Sequence, residues 1–202
     1  FKVSKINKEI KSKKVDVANL KKIKKIIYKF KPDFIFHLAA QSLVKESYKS
    51  PIETWRTNLI GTLNILESLK KYKKKVTVVL ITSDKSYKNI EQKKGYKEND
   101  VLSGIDPYSA SKSSADIAIQ SYFNSYFKKK RNITIGVGRA GNVVGGGDWS
   151  KDRLIPDCMR AWSKGKKVII RNPNSTRPWQ HVLEVIYGYL KLASKLYLKK
   201  TL

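Results

Sequence analysis

Apolar residues recur along the chain at two spacings, which separate predicted helices from predicted strands. Residues 18–30 place apolar side chains at helical spacing and lysines on the opposite face. Further helices are predicted at about 51–72, 107–128 and 154–164, and from about 183 onward. Apolar, β-branched runs predict strands at 34–39, 76–83, 133–140 and 167–171, the first two buried on both faces.

Strands that alternate with helices indicate one fold class. The pattern predicts an α/β protein with a doubly wound parallel sheet that is covered by helices on both faces. Such sheets bind ligands at the carboxyl ends of their strands. Candidate functional residues should therefore directly follow each apolar run.

Composition changes this picture little. The net charge of +27, from 43 basic and 16 acidic residues, suggests nucleic-acid binding, but lysine runs beside apolar stripes favour solvated surfaces instead. No stretch approaches the roughly 20 apolar residues of a membrane span. A single cysteine, Cys158, excludes an internal disulfide framework and a cysteine-rich zinc site; it fits a cytoplasmic location and predicts an inert thiol.

The first chemical signal is a tyrosine and a lysine four residues apart, Tyr108 and Lys112, in the sequence YSASK. Residues at this spacing share one face of a helix, and Asp106-Pro107 is a good helix start. We expect the Lys112 ammonium to favour the Tyr108 phenolate, making it a usable base. Alone, this spacing is also consistent with an ordinary helix start.

Two further signals follow predicted strands. ITSDKSY places a hydroxyl, a carboxylate and an amine, from Ser83, Asp84 and Lys85, at a strand end, although a capped polar turn would have the same residues. HLAAQS offers small residues that let a flat ligand approach the backbone. His37, inside that apolar run, is predicted to be a packed, hydrogen-bonded histidine rather than a catalytic or metal-binding one.

These signals, in this order, resemble the extended short-chain dehydrogenase/reductase family. NLIGT, with Asn58, Gly61 and Thr62, matches a further pattern of that family. The segments TSDKSY, DPYSASK, RAGNVVGGGDW, DRLIPD and RNPNSTRPWQHV are similar to its sugar-nucleotide 4,6-dehydratases, and most similar to the branch that acts on CDP-glucose.

The resemblance implies a Rossmann sheet that holds NAD, followed by a smaller lobe for the sugar nucleotide. We expect residues 1–145 to be part of the NAD-binding domain and 146–202 part of the substrate region. Nothing near the start matches the family's glycine-rich pyrophosphate turn. The chain is therefore expected to be a fragment that binds NAD poorly and is inactive by itself.

Individual residues take roles only through this resemblance. Cofactor contacts are implied for Asp16, Val17, Leu38, Ala39, Ala40, Thr57, Tyr108 and Lys112. Substrate contacts are implied for Ser42, Asn142, Arg153 and Arg177, where arginine forks suit a diphosphate. Two of these residues have an alternative interpretation, since Asp16 could cap the first helix and Arg153 could be a surface cap.

The implied reaction is a dehydration in which NAD is regenerated. Tyr108 takes the proton of the 4-hydroxyl during C4 oxidation, and Ser83 hydrogen-bonds the same oxygen. Asp84 is the acid that expels the 6-hydroxyl as the C5 proton is removed, and hydride then returns to C6. Lys85 stands where many of these dehydratases have a glutamate base, so it can serve only as a neutral amine.

Three expectations remain open. Another dehydratase or an epimerase of the same family is an alternative, although an epimerase needs no acid to expel water. A non-catalytic basic fragment that binds nucleic acid nonspecifically is the alternative from another class. Apolar residues on a second face of the 107–128 helix, together with the 52–72 helix, predict a homodimer seam.

Overall fold

The computed structural model describes residues 6–198, and its centre is a three-stranded parallel sheet. Strands β1 (Phe34–His37), β2 (Val76–Ile81) and β3 (Ile133–Gly138) lie in the order β1-β2-β3. Phe34 is in register with Thr77, and Val76 with Ile133. A second, two-stranded parallel sheet joins β4 (Asn142–Val144) to β5 (Trp179–His181). The carboxyl ends of β1, β2 and β3 therefore meet at one edge of the central sheet.

Seven α-helices precede, connect and follow these strands within the described residues. They are α1 (Leu20–Phe30), α2 (Val44–Lys49), α3 (Pro51–Trp55), α4 (Gly61–Leu69), α5 (Pro107–Tyr122), α6 (Leu154–Trp162) and α7 (Val182–Leu198). A π-helical turn at Arg56–Ile60 continues α3 into α4, and another at Phe123–Phe127 extends α5. The predicted helices are confirmed, and α2 is an additional one.

The core lies between the sheet and the layer formed by α1, α4 and α5. Its buried residues include Ile23 and Ile27 from α1, Leu66 and Leu69 from α4, and Val78 from β2. Helix α7 packs on β2 and β3. The packing is close at Gly136, where an added Cβ would lie 2.7 Å from Leu196 Cδ1 and would make the leucine side chains of α7 shift. Helices on both faces make the fold a Rossmann-type, doubly wound sheet.

Two expectations about strands need correction. Strand β2 is buried on both faces, but β1 is not, since Phe34 and Phe36 are exposed. The reason is that α7 reaches β1 only at its base, where the Tyr197 ring lies 5.1 Å from that of Phe34. The strand expected at 167–171 is absent: Ile169 is 89% exposed there, and the strand forms later, as β5.

Two smaller expectations concern the surface and the thiol. Cys158 is free and buried, as an inert thiol would be. The lysines at the start of α1 are exposed, as expected for a solvated face. No helix within residues 6–198 is long and apolar enough to cross a membrane.

Candidate active site

The start of α5 carries the tyrosine and lysine of the YSASK motif. Asp106 caps this helix, because its Oδ1 accepts hydrogen bonds from the backbone N–H groups of Tyr108 and Ser109, both at 3.0 Å. The cap fixes where the first turn begins and therefore which face it presents to the sheet. Tyr108 and Lys112 are both buried on that face.

Lys112 is a buried lysine with unused hydrogen-bonding capacity. It is 6% exposed, and its Nζ donates a hydrogen bond to the Ile81 carbonyl oxygen at 3.1 Å. Burial lowers the pKa of Lys112 from 10.5 to about 8. A lysine has three N–H donors and, among the described residues, this one has a single hydrogen-bond acceptor. The remaining donors are available to a ligand.

His37, at the end of β1, is the packed histidine that the sequence predicts. Its Nε2 lies 3.2 Å from Thr62 Oγ1, and the Thr62 hydroxyl donates to the Asn58 carbonyl oxygen. Because that bond uses the hydroxyl proton, His37 Nε2 carries the proton of the neutral ring. Burial, and then the charge of Lys112, lower the pKa of His37 to about 4, which keeps the ring neutral.

The environment of Tyr108 differs from the expectation. Burial raises the pKa of the phenol, while the nearby Ser83 hydroxyl opposes that rise; the charge of Asp84 raises the pKa and that of Arg153 lowers it. The expected stabilisation by Lys112 is not among these effects, because Nζ points to Ile81 O instead. In the ligand-free site Tyr108 is therefore protonated at neutral pH.

The turn after β2 holds the other three candidates for catalysis. Ser83 Oγ donates to Asp84 Oδ1 at 3.1 Å and accepts from the Lys85 backbone N–H at 3.2 Å. The Asp84 backbone N–H donates to Ala140 O at 3.1 Å, which joins the turn to the chain after β3. Lys85 is exposed, contrary to the burial that its use as a neutral base would require.

The segment after β1 forms an open apolar surface beside these groups. Leu38 is 55% exposed, and Ala39 and Ala40 follow it. The buried Asn58 anchors the segment: its Nδ2 donates to Gln41 O at 3.0 Å, and its Oδ1 accepts from Gln41 N at 2.8 Å. An exposed apolar surface next to the spare N–H groups of Lys112 fits the flat ring and ribose of a dinucleotide.

Three predicted cofactor residues lie near α1 and α3. Asp16 does not cap α1; that residue is Asn19, whose Oδ1 accepts from Lys22 N. Instead, Asp16 Oδ1 accepts from the Ala18 backbone N–H, and Oδ2 pairs with Arg56 at 2.8 Å. Thr57 is the next residue in the chain after Arg56, so the ion pair brings Asp16 and Thr57 into one neighbourhood. The Val17 carbonyl oxygen accepts from Asn64 at 2.9 Å, which holds this loop on α4.

The structure brings two of the four predicted substrate residues into contact. Arg153 donates to Ser42 Oγ at 2.8 Å and to Asp148 Oδ2 at 2.8 Å, so its side chain bridges loops 111 residues apart rather than capping α6. Asn142 is in β4, in register with Trp179. Arg177, two residues before that strand partner, is exposed and donates only within its own loop.

Sequence reasoning missed one pair of residues beside this site. Asp116, which is buried, and Arg139, which is partly buried, form an ion pair with N–O distances of 2.7 and 2.8 Å. The available signals were weak: Asp116 lies four residues after Lys112, on the same helix face, and Arg139 opens the RAGNVVGGGDW motif. In residues 6–198 there is no group of three His, Cys, Asp or Glu side chains that could hold a metal ion.

Comparison with known families gives a consistent result. The model of the GDP-mannose 4,6 dehydratase family matches residues 2–197. A CDP-glucose 4,6-dehydratase of Salmonella typhimurium is 47% identical over 98% of this chain and 56% of its own length. A dTDP-D-glucose 4,6-dehydratase of Dictyostelium discoideum is 27% identical over 87% of this chain and 42% of its own length.

Solved structures agree on the fold. The dTDP-glucose 4,6-dehydratase of Bacillus anthracis, solved in complex with NAD, superposes with a TM-score of 0.76 at 27% identity and covers 90% of this chain and 54% of that one. A UDP-glucose 4-epimerase of Thermotoga maritima, solved with UDP-glucose, has a TM-score of 0.76 at 22% identity, over 87% of this chain and 56% of that one. The chain thus spans about half the length of the relatives it matches.

Proposed function

Since the chain belongs to the GDP-mannose 4,6 dehydratase family, we propose that the protein of which it is part dehydrates a sugar nucleotide, CDP-glucose, to its 4-keto-6-deoxy product with NAD as cofactor. The observation that carries the proposal is one site geometry. Asp84 lies in the turn after β2, beside Ser83, and is near enough to Tyr108 for its charge to raise the pKa of the phenol; Tyr108 is the residue expected to act at the sugar 4-position. The choice of CDP-glucose is supported by the 47% identity to the Salmonella dehydratase.

NAD fits the residues at the carboxyl ends of β1 and β2. Leu38, Ala39 and Ala40 would face its flat rings, and Lys112, with Tyr108, would hold a ribose. Asp16 and Val17 would contact the adenine end, and Thr57 would be a further cofactor contact. When bound, NAD supplies the reversible oxidation that turns the sugar 4-hydroxyl into a ketone. A glycine-rich pyrophosphate turn is not among the described residues. We propose residues 1–145 as part of the cofactor domain and 146–202 as part of the substrate region.

Tyr108 and Ser83 act at the sugar 4-oxygen in this proposal. Ser83 hydrogen-bonds the oxygen, and Tyr108 accepts its proton. Because burial raises the pKa of Tyr108, the phenolate must be generated against that effect, and the opposing contributions of Ser83 and Arg153 assist it. We therefore expect kcat/KM to rise with pH through neutrality.

Asp84 acts in the next step, at the sugar 6-oxygen. The ketone at C4 acidifies the C5 proton, and Asp84 donates a proton to the departing 6-hydroxyl so that water leaves. The base that takes the C5 proton is not assigned. Lys85 is a candidate for it, but its exposed position does not favour the neutral amine that this role requires. An epimerase would have no use for the acid.

Substrate contacts are proposed for the polar residues around the opening of the site. Arg153, already hydrogen-bonded to Ser42, would bind the diphosphate together with Arg177, and Asn142 would contact the nucleotide. Ser42 is exposed and close to the expected sugar position.

A homodimer and a cytoplasmic location are part of the proposal. Exposed apolar side chains on α3, α5 and the turns that extend them support a self-complementary seam: Ile52, Ile60, Ile117, Phe123 and Tyr126. Light scattering of the complete protein at micromolar concentration should give twice the monomer mass, and a monomer would contradict the seam. The sequence has a single cysteine, which fits a reducing compartment and supports the proposed cytoplasmic location.

The test of the function is substrate conversion by the complete protein. With NAD and CDP-glucose, mass spectrometry should detect a product lighter by one water, and dTDP-glucose should be converted more slowly. An isomer of unchanged mass would indicate an epimerase instead. Conversion of neither nucleotide sugar would contradict the proposal.

A further inference from the structure

The ion pair between Asp116 and Arg139 joins α5, the helix that carries Tyr108 and Lys112, to the chain after β3. Asp116, on α5, is 1% exposed and receives both arms of the Arg139 fork, from Nε and from a terminal nitrogen. Thr82 Oγ1 donates to the same carboxylate at 2.9 Å, and Gln120 Nε2 donates at 3.2 Å. A carboxylate has about four acceptor sites, so the hydrogen-bonding capacity of Asp116 is used up.

Arg139 extends the network into the long loop after β2. Its other terminal nitrogen donates to the Tyr87 hydroxyl and to the Glu98 carbonyl oxygen, both at 2.9 Å. The guanidinium carbon lies 5.0 Å from the centre of the Tyr87 ring, which in turn stacks on Tyr96 at 5.2 Å. Four of the five N–H donors of Arg139 are therefore occupied by protein groups.

These contacts hold the catalytic turn at both of its ends. Ser83, Asp84 and Lys85 lie between Thr82, which bonds to Asp116, and Tyr87, which bonds to Arg139. Asp116 is also one helical turn after Lys112 and two turns after Tyr108 on α5. One ion pair thus connects the turn expected to drive elimination with the helix expected to drive oxidation.

Stability alone gives no strong reason for such a pair. Burial disfavours the charge on Asp116, and the hydrogen bonds and charge of Arg139 more than offset this, so that the pKa of Asp116 is lowered overall. Buried ion pairs can often be replaced by apolar residues without loss of stability. With nearly all their polar atoms occupied, neither residue has the capacity to bind a substrate as well. Their remaining contribution is geometric.

We propose, on the basis of the function proposed above, that Asp116 and Arg139 are positioning residues that set the distance between the Asp84 turn and the Tyr108–Lys112 face of α5. Elimination requires that Tyr108, which takes part in forming the C4 ketone, and Asp84, which supplies the acid, act on the same sugar. A displacement of about 1 Å in such a constellation can lower turnover by about 10²-fold.

The test uses the complete protein and variants that weaken one connection at a time. Tyr87→Phe removes the hydroxyl that accepts from Arg139, and Thr82→Val removes the hydroxyl that donates to Asp116. Tyr96→Phe is the matched control: it removes a hydroxyl in the same loop that bonds Ile90 N and Asn89, away from the pair. Tyr87→Phe should lower kcat about tenfold or more, because the turn that carries Asp84 loses a contact that fixes its position relative to Tyr108.

The decisive readout is the isotope effect on kcat/KM with CDP-glucose deuterated at C5. Displacement of the Asp84 turn slows elimination selectively, so the effect should rise above the parent value in Tyr87→Phe and Thr82→Val but not in Tyr96→Phe. A purely structural role would lower the melting temperature or the folded fraction and leave the isotope effect unchanged. That second pattern would overturn the proposal.

A second measurement does not depend on the reaction. In the ligand-free protein, hydrogen–deuterium exchange at the amides of residues 85–87 should quicken in Tyr87→Phe and stay at the parental rate in Tyr96→Phe. Unchanged exchange in Tyr87→Phe would overturn the positioning role. If the parent converts no nucleotide sugar, the function fails, while the exchange data still decide whether the ion pair holds the turn.

Discussion

Replacing Lys112 by methionine should change how the stability of the protein depends on pH. Methionine keeps the length of the side chain in its buried position and removes the titrating amine. Burial lowers the pKa of Lys112 from 10.5 to about 8 in the folded protein. The folded state therefore binds this proton more weakly than the unfolded state does, and below pH 8 the buried charge destabilises the fold.

The size and the sign of the effect follow from that difference. At 1.36 kcal/mol per pKa unit, the buried charge costs about 3 kcal/mol of stability at neutral pH. As pH rises from about 8 towards 10.5, the unfolded chain also loses the proton and the cost disappears. Linkage predicts that the parent gains about 2 kcal/mol relative to Lys112→Met between pH 7 and pH 9.5.

Urea unfolding of both proteins without NAD, at several pH values, measures this difference. The hydrogen bond from Nζ to Ile81 O is lost in the variant at every pH. Its loss therefore changes the free energy of unfolding by a similar amount at each pH and does not produce the expected pH trend. Lys21→Met, on the exposed face of α1, is the matched control for loss of a lysine charge and should show no such trend. A free-energy difference for Lys112→Met that stays constant over this range would refute the reasoning about burial.

The remaining predictions concern catalysis and loop packing. Tyr108→Phe should lower kcat by about 10²-fold or more with little change in substrate binding. It should also raise the isotope effect measured with C4-deuterated substrate. Turnover at the parental rate would show that Tyr108 is not the base. Asp84→Asn should slow product formation by about 10²-fold and raise the C5 isotope effect, whereas a lower melting temperature with parental turnover would indicate a structural cap. Gly104→Ala would place a Cβ against the Ala110 backbone nitrogen and should lower the free energy of unfolding by about 1–3 kcal/mol. Gly95→Ala, where an added Cβ meets no atom within 4 Å, should not; equal denaturation midpoints for the two variants would contradict this contact.

The helices and the central strands could be predicted because local pattern decides them. Apolar spacing located α1 and β2, and Asp106-Pro107 marked the start of α5 correctly. The missing strand at 167–171 shows the limit of that method: Ile169 and Ile170 are β-branched, but both side chains are exposed. Strand pairing selected Trp179–His181 instead, through partners in β4 that the local sequence does not reveal.

The candidate site could be predicted only as far as its residues are close in sequence. Tyr108 and Lys112 share a helix face, and Ser83 to Lys85 share a turn, so spacing was enough to group them. The protonation of Tyr108 was beyond the sequence, because it depends on how deeply the phenol is buried and on where Lys112 Nζ points. Asp116 and Arg139 lie 23 residues apart on different elements, and only the tertiary fold joins them.

Hydrogen-bonding capacity distinguishes the two kinds of buried charge around this site. The Asp116–Arg139 pair has almost every donor and acceptor occupied by protein atoms, so it can fix geometry but cannot engage a ligand. Lys112 has one acceptor for three donors, and its buried charge lowers the stability of the fold near neutral pH. A fold selected for stability alone would place an apolar residue at that position. Lys112, with spare N–H donors, is therefore our proposed contact for the cofactor, and the Asp116–Arg139 pair is our proposed support for the geometry of the site.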